Sequence, residues 1–120
     1  MRVRIVLATL LLASSVGCSS SPSMTSATTA PSGSGKAASI VSGASTLTTT
    51  AFAPNPITVS AGGSVTWTNN DSVTHTSVGG AWNSGAIAPG GQFSMTFSSA
   101  GSFPYHCSIH PGMVGTVTVQ

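Results

Sequence analysis

From Ile57 to the C-terminus, apolar side chains return at every second position, and no apolar stripe of helical spacing runs for a useful length. Ile57 and Val59 alternate with Thr58 and Ser60, and Val65 and Trp67 with Thr66 and Thr68. Phe93, Met95 and Phe97 alternate with Ser94, Thr96 and Ser98, and Val117 and Val119 with Thr116 and Thr118. A period of two places successive side chains on opposite faces of a strand, so each segment has one apolar and one polar face. Between the segments lie turn formers: Ala61-Gly62-Gly63, Asn69-Asn70-Asp71-Ser72, Ala88-Pro89-Gly90-Gly91 and Ala100-Gly101. Short half-buried strands joined by such turns predict an all-β fold, an antiparallel sandwich or Greek-key barrel.

The N-terminal part has a different character. Arg2 and Arg4 precede the apolar run Ile5 to Leu12, and small residues lead on to Gly17-Cys18. This run is too short to span a bilayer, and its flanks fit an export leader over residues 1–17. Gly17-Cys18 resembles the end of a bacterial lipobox, with Ser15 where Leu is usual. The resemblance implies that Cys18 is lipidated and tethers the mature chain to a membrane in the cell envelope, periplasmic or at the outer surface. Residues 18–38 are mostly Ser, Thr, Ala, Gly and Pro and read as a flexible linker, leaving 39–120 as one domain. That length holds a single small core.

Charge excludes several functions. The formal net charge is +2, yet the only charged side chains are Arg2, Arg4, Lys36 and Asp71, and both arginines lie in the leader. The mature chain has no basic patch for nucleic acid. Asp71 is its sole acid, so no pair of carboxylates exists for acid–base catalysis.

The chemistry concentrates in Cys107-Ser108-Ile109-His110-Pro111-Gly112-Met113, which spaces a thiol, an imidazole and a thioether at intervals of three. It lies between the alternating residues Phe103/Tyr105 and Val117/Val119, so it is a loop at one end of the sheets. One more imidazole would complete a four-ligand site, and His75, just beyond the Asn69-Asn70-Asp71 turn, supplies it. Thiolate and thioether are soft ligands that favour Cu(I), and imidazole suits both oxidation states of copper; two His, one Cys and a weak Met ligand describe an electron-transfer site. Zinc would favour more thiolate, a carboxylate or an open water position. His106 directly precedes Cys107 and, in an extended chain, faces the other way. Met95 belongs to the apolar face shared with Phe93 and Phe97, Met24 lies in the linker, and Trp67 and Trp82 read as core.

These features together resemble the cupredoxins, the small blue copper proteins, and within them the plastocyanin and amicyanin group. The resemblance covers about Pro56 to Gln120: Ile57-Thr58-Val59 with Gly62-Gly63, Val65-Thr66-Trp67 running into Asn69-Asn70, His75, and Tyr105-His106-Cys107 through Met113. The short Cys-x-x-His-x-x-Met loop is the amicyanin-like form. The resemblance implies a β-sandwich of seven or eight strands, with His75 and His110 binding copper through Nδ1, Cys107 through its sulfur and Met113 as the axial ligand. It also implies that His110 is the electron exit, set in an apolar patch with Pro111, Gly112, Gly79 and Gly80. Two positions depart from the group. Thr76 stands where Asn often follows the first His, and its N–H and hydroxyl are expected to tie the two ligand loops. Ile109 stands where many relatives have Pro; unlike Pro it keeps an N–H, which is expected to bond the Cys107 sulfur and raise the reduction potential.

The expected function is one-electron transfer by a monomeric protein that docks weakly with a redox partner around His110. The alternative is an envelope protein that binds or delivers copper without an electron-transfer duty. An enzyme is not expected: with three His in the chain and two used, one remains, too few for a second metal site.

Overall fold

In the computed structural model, which describes residues 34–120, the alternating segments form eight strands. The proposed leader, Cys18 and most of the linker lie outside the described residues. The strands are β1 (Lys36–Ile40), β2 (Phe52–Ala53), β3 (Ile57–Val59), β4 (Gly63–Asn69), β5 (Val78–Gly79), β6 (Gln92–Phe97), β7 (Gly101–His106) and β8 (Val114–Val119). A single 3₁₀ turn, Ala44–Thr46, follows β1, and the described residues contain no α-helix. Two four-stranded sheets result, with orders β2-β1-β4-β6 and β3-β8-β7-β5.

Each sheet contains one parallel ladder, β1 with β4 and β3 with β8, while the remaining pairs are antiparallel. The all-β sandwich expected from the alternation is present, and its two parallel ladders are contacts that local turns do not set. Local turns dictate only pairs of consecutive strands, and β3 and β8 come from distant parts of the chain. Lys36, Ala37 and Ala38 pair with Val65, Thr66 and Trp67 of β4, and Ala38 is buried. Two small alanines give no alternation to read, so the sequence hides this strand in the linker.

The two sheets meet through aromatic rings. Trp67 of β4 is fully buried and packs edge-on against Tyr105 of β7, with centroids 5.3 Å apart. Trp82 stacks on the same indole at 5.7 Å, and Phe52 meets Tyr105 at 4.7 Å. Ile40, Ile57, Val59, Val65, Val117 and Val119 fill the rest of the interior, as the period-two pattern requires. Phe93 and Met95 are half-buried at its edge, beside the buried Phe97. Tyr105 Oη and Trp67 Nε1 are buried without hydrogen-bond partners, a cost that the apolar burial of the rings must exceed.

Tyr105 fits only because its cross-strand neighbour in β8 is Gly115. A Cβ at Gly115 would overlap the phenol, coming within 2.6 Å of its oxygen. Gly115→Ala is therefore expected to destabilise the domain by about 1–3 kcal/mol in denaturant unfolding. Gly80→Ala is the control: a Cβ there meets nothing within 4 Å, and its effect should stay within about 0.5 kcal/mol. Equal effects of the two would contradict this packing.

Candidate metal centre

Strand alternation aims the first donor. Tyr105 is buried, His106 exposed and Cys107 buried, so the turn of the chain after β7 leaves the thiol facing inward and His106 facing solvent. The second donor arrives through β5, which pairs Val78 with His106. Continuing that register sets Thr76 opposite Ser108, and the side chains join there. Ser108 N–H donates to Thr76 Oγ1 at 2.7 Å, and the two hydroxyls lie 2.9 Å apart. Thr76 N–H donates to Cys107 Sγ at 3.3 Å. Thr76 thus ties the two ligand loops together with its main chain and its side chain.

His75 is held from both sides. Its main chain exchanges hydrogen bonds with Ile87, His75 N–H to Ile87 O at 3.1 Å and Ile87 N–H to His75 O at 2.7 Å. The buried Asn69 braces the same loop: its Nδ2 donates to Val73 O and Ile87 O, both at 2.8 Å, and its Oδ1 accepts Asp71 N–H at 2.9 Å. The imidazole itself is sealed from water, and its Nε2 lies 2.8 Å from Asp71 Oδ2. Hydrogen bonds from His75, then from the Gly43 and Ser72 amides, hold the Asp71 carboxyl down at about 2. At neutral pH it is an ionised acceptor facing His75 Nε2.

The Cys107–Met113 loop closes on itself: Cys107 N–H donates to Met113 O at 3.0 Å, and Met113 N–H to His110 O at 2.9 Å. Met113 is fully buried and His110 half-buried. Three donors converge: His75 Nδ1 and His110 Nδ1 are 3.2 Å apart, and Cys107 Sγ lies 3.8 and 3.9 Å from them. Each edge is shorter than two ordinary bonds from donor to metal, about 2.0 Å for nitrogen and 2.3 Å for sulfur, so one ion can touch all three. Among the described residues these are the His, Cys and acidic groups close enough together to hold a metal.

The thiol is prepared as a ligand. Burial pushes its pKa up, but the Thr76 and His110 backbone amides and the imidazoles of His75 and His110 outweigh that and bring it from 9.0 to about 6. Ile109 is absent from the groups bonding the sulfur; it sits at the loop tip with half its surface in water. The Ile109 N–H bond expected from the sequence does not appear beside those of Thr76 and His110. Asp71 and Asn69 are the residues that sequence reading treated merely as a turn. The available signal was the sole acid of a nearly uncharged chain standing four residues before a candidate ligand.

The folded thiol thus ionises at lower pH than the unfolded one. Between about pH 6 and 9 the unfolded chain binds more protons, so this group's contribution to stability is fully present above about 9 and lost as pH falls through about 6. In the metal-free domain, ultraviolet thiolate absorbance should titrate near pH 6. Cys107→Ser should remove the matching rise in unfolding free energy with pH. A midpoint near 9 would contradict the geometry.

Known proteins resemble this chain in sequence and in fold. The family described as copper binding proteins, plastocyanin/azurin family, matches residues 38–120. Plastocyanin from Scenedesmus fuscus is 39% identical, over 58% of this chain and 86% of the relative. Amicyanin from Paracoccus denitrificans is 36% identical, over 52% of this chain and 53% of that protein. A purple cupredoxin from Nitrosopumilus maritimus superposes with a TM-score of 0.67 at 32% identity, covering 71% of this chain and 99% of the other. Donor chemistry, convergence and sandwich agree with these matches, and the chain belongs to the plastocyanin/azurin family of copper-binding proteins, the cupredoxins.

Proposed function

We propose that His75, Cys107, His110 and Met113 hold one copper ion and that the protein is a mononuclear type 1 copper carrier, passing single electrons between partner proteins. The observation that carries this reading is the convergence of two imidazole nitrogens and an acidified thiol on one point. Copper bound there supplies a one-electron Cu(II)/Cu(I) couple. The chain's part is to keep the donors still. The Thr76–Ser108 tie, the His75–Ile87 bridge and the Asn69 brace fix both loops from outside the donor set, so little needs to move when an electron arrives or leaves.

Transport rather than delivery follows from burial. Cys107, His75 and Met113 are each fully buried, which leaves an acceptor protein no open path for exchanging ligands. His110 alone of the four reaches the surface, and we assign it as the electron exit. Its chain neighbours Ile109, Pro111 and Gly112 are exposed, and Pro111 lines a cavity together with Gly79, Gly80 and the exposed Val114. This patch suits brief docking by one partner onto a monomer. We read the protein as a carrier and not an enzyme, since its one acid is committed to His75. We place it in the cell envelope, anchored through a lipidated Cys18; the leader-like pattern of residues 1–18 supports this.

Adding Cu(II) to the soluble domain should give an intense blue or purple band that bleaches with a mild reductant, returns with an oxidant and is absent in Cys107→Ser. A colourless protein would refute thiolate-bound redox copper. Docking has its own signature. Among the described residues Lys36 is the one charged side chain on the surface, since Asp71 is buried. Steering by charge is therefore weak, and electron-transfer rates with the physiological partner should change less than about threefold between low and physiological salt. A steep fall with salt would overturn the uncharged docking surface.

A further inference from the structure

We propose that Asp71 is a positioning residue for the metal centre: its carboxylate fixes His75 in the Nε2–H form and so presents Nδ1 as a bare donor toward Cys107 and His110. The inference rests on His75 being a copper ligand, but its main observable belongs to the metal-free protein.

The geometry gives Asp71 no freedom to do otherwise. Oδ1 accepts Gly43 N–H at 3.0 Å and Ser72 N–H at 2.8 Å, which fixes the plane of the carboxylate. Oδ2 is then aimed at His75 Nε2, 2.8 Å away. Both side chains are out of water, so solvent does not compete for either atom. A neutral imidazole has one donor and one acceptor nitrogen. With an acceptor fixed beside Nε2, the proton stays there, and the lone pair is left on Nδ1, 3.2 Å from His110 Nδ1 and 3.8 Å from Cys107 Sγ. An oriented carboxylate behind a ligating His also makes the imidazole a stronger base.

Asp71→Asn makes the idea sharp. Two amide donors meet at the Oδ1 position, so the Asn carbonyl must remain there and its NH₂ group must face His75. Nε2 would have to accept, which moves the ring proton onto Nδ1, the nitrogen needed for copper. The hydrogen-bonded shape is kept while the tautomer reverses, as in other sites where a carboxylate orients a His.

Heteronuclear NMR of the imidazole nitrogens in the metal-free domain at neutral pH provides the test. Wild type should show His75 protonated at Nε2; a proton on Nδ1 would overturn the proposal without any variant. Asp71→Asn should show it on Nδ1, and its Cu(II) affinity, measured by competition with a chelator of known strength, should fall about 10–100-fold. An Asp71→Asn domain that keeps Nε2–H and wild-type affinity would reduce Asp71 to a turn-forming residue and sink the idea. If Asp71→Asn does not fold, the wild-type tautomer decides alone. Should wild type show Nε2–H yet fail to bind copper, the copper reading falls, and with it the metal-positioning role, while Asp71 keeps its control of the His75 tautomer.

Discussion

A thiolate and an imidazole shut away from water must find all their stabilisation inside the protein, because neither keeps its hydration shell. That requirement governs how the end of this sandwich is built. Cys107 and His75 are fully buried, and the residues around them are spent on answering them. Thr76 and His110 turn amides toward the sulfur. Asp71 answers the far nitrogen of His75, and is itself answered by Gly43 and Ser72. Asn69 satisfies two carbonyls and one amide of the same loop. Removing any one of these partners would leave a buried polar group unpaired, which costs more than the lost bond alone.

The sheets make this economical. One register, Val78 opposite His106, lays the chain beyond His75 alongside the end of β7. Alternation then decides which neighbours look inward: Tyr105 to the core, His106 to solvent, Cys107 to the centre. Packing beneath is tight enough that β8 must carry glycine opposite Tyr105. The loop from Cys107 to Met113 is closed by its own main-chain bonds and rests on this floor. Burial is uneven across the two imidazoles: His75 is anchored in the interior while His110 meets the surface.

Much of this was legible in the sequence, and the exceptions share a cause. Alternation of the Val65/Trp67 or Phe93/Phe97 kind is a strong local signal because each residue's face is fixed by the pleat. The convergence of His75 with Cys107 and His110 was legible through donor chemistry, since few sets of residues combine a thiol, imidazoles and a thioether in so short a loop. What escaped was non-local. β1 has too few large residues to alternate, and it becomes a strand by pairing with β4. β2 and β5 are two-residue strands defined by their partners. The amide that meets the sulfur depends on where the loop turns, so Ile109 and His110 cannot be told apart by spacing. Asp71 looked like a turn residue, which it is, because its second oxygen finds His75 only after the loop has closed.

The same network sets two opposed influences on the proposed centre. Amide hydrogen bonds on Cys107 withdraw electron density from the sulfur and favour the reduced, less positive metal. A carboxylate behind His75 does the reverse, adding density through the ring and favouring the oxidised one. In a chain with many surface charges such terms would be blurred by distant residues. Here Lys36 is the one Lys, Arg, Asp or Glu side chain on the described surface, and the one carboxylate side chain is buried against His75. In the proposed centre the balance that would tune the reduction potential therefore lies within the two ligand loops, between what faces the sulfur and what stands behind the buried imidazole.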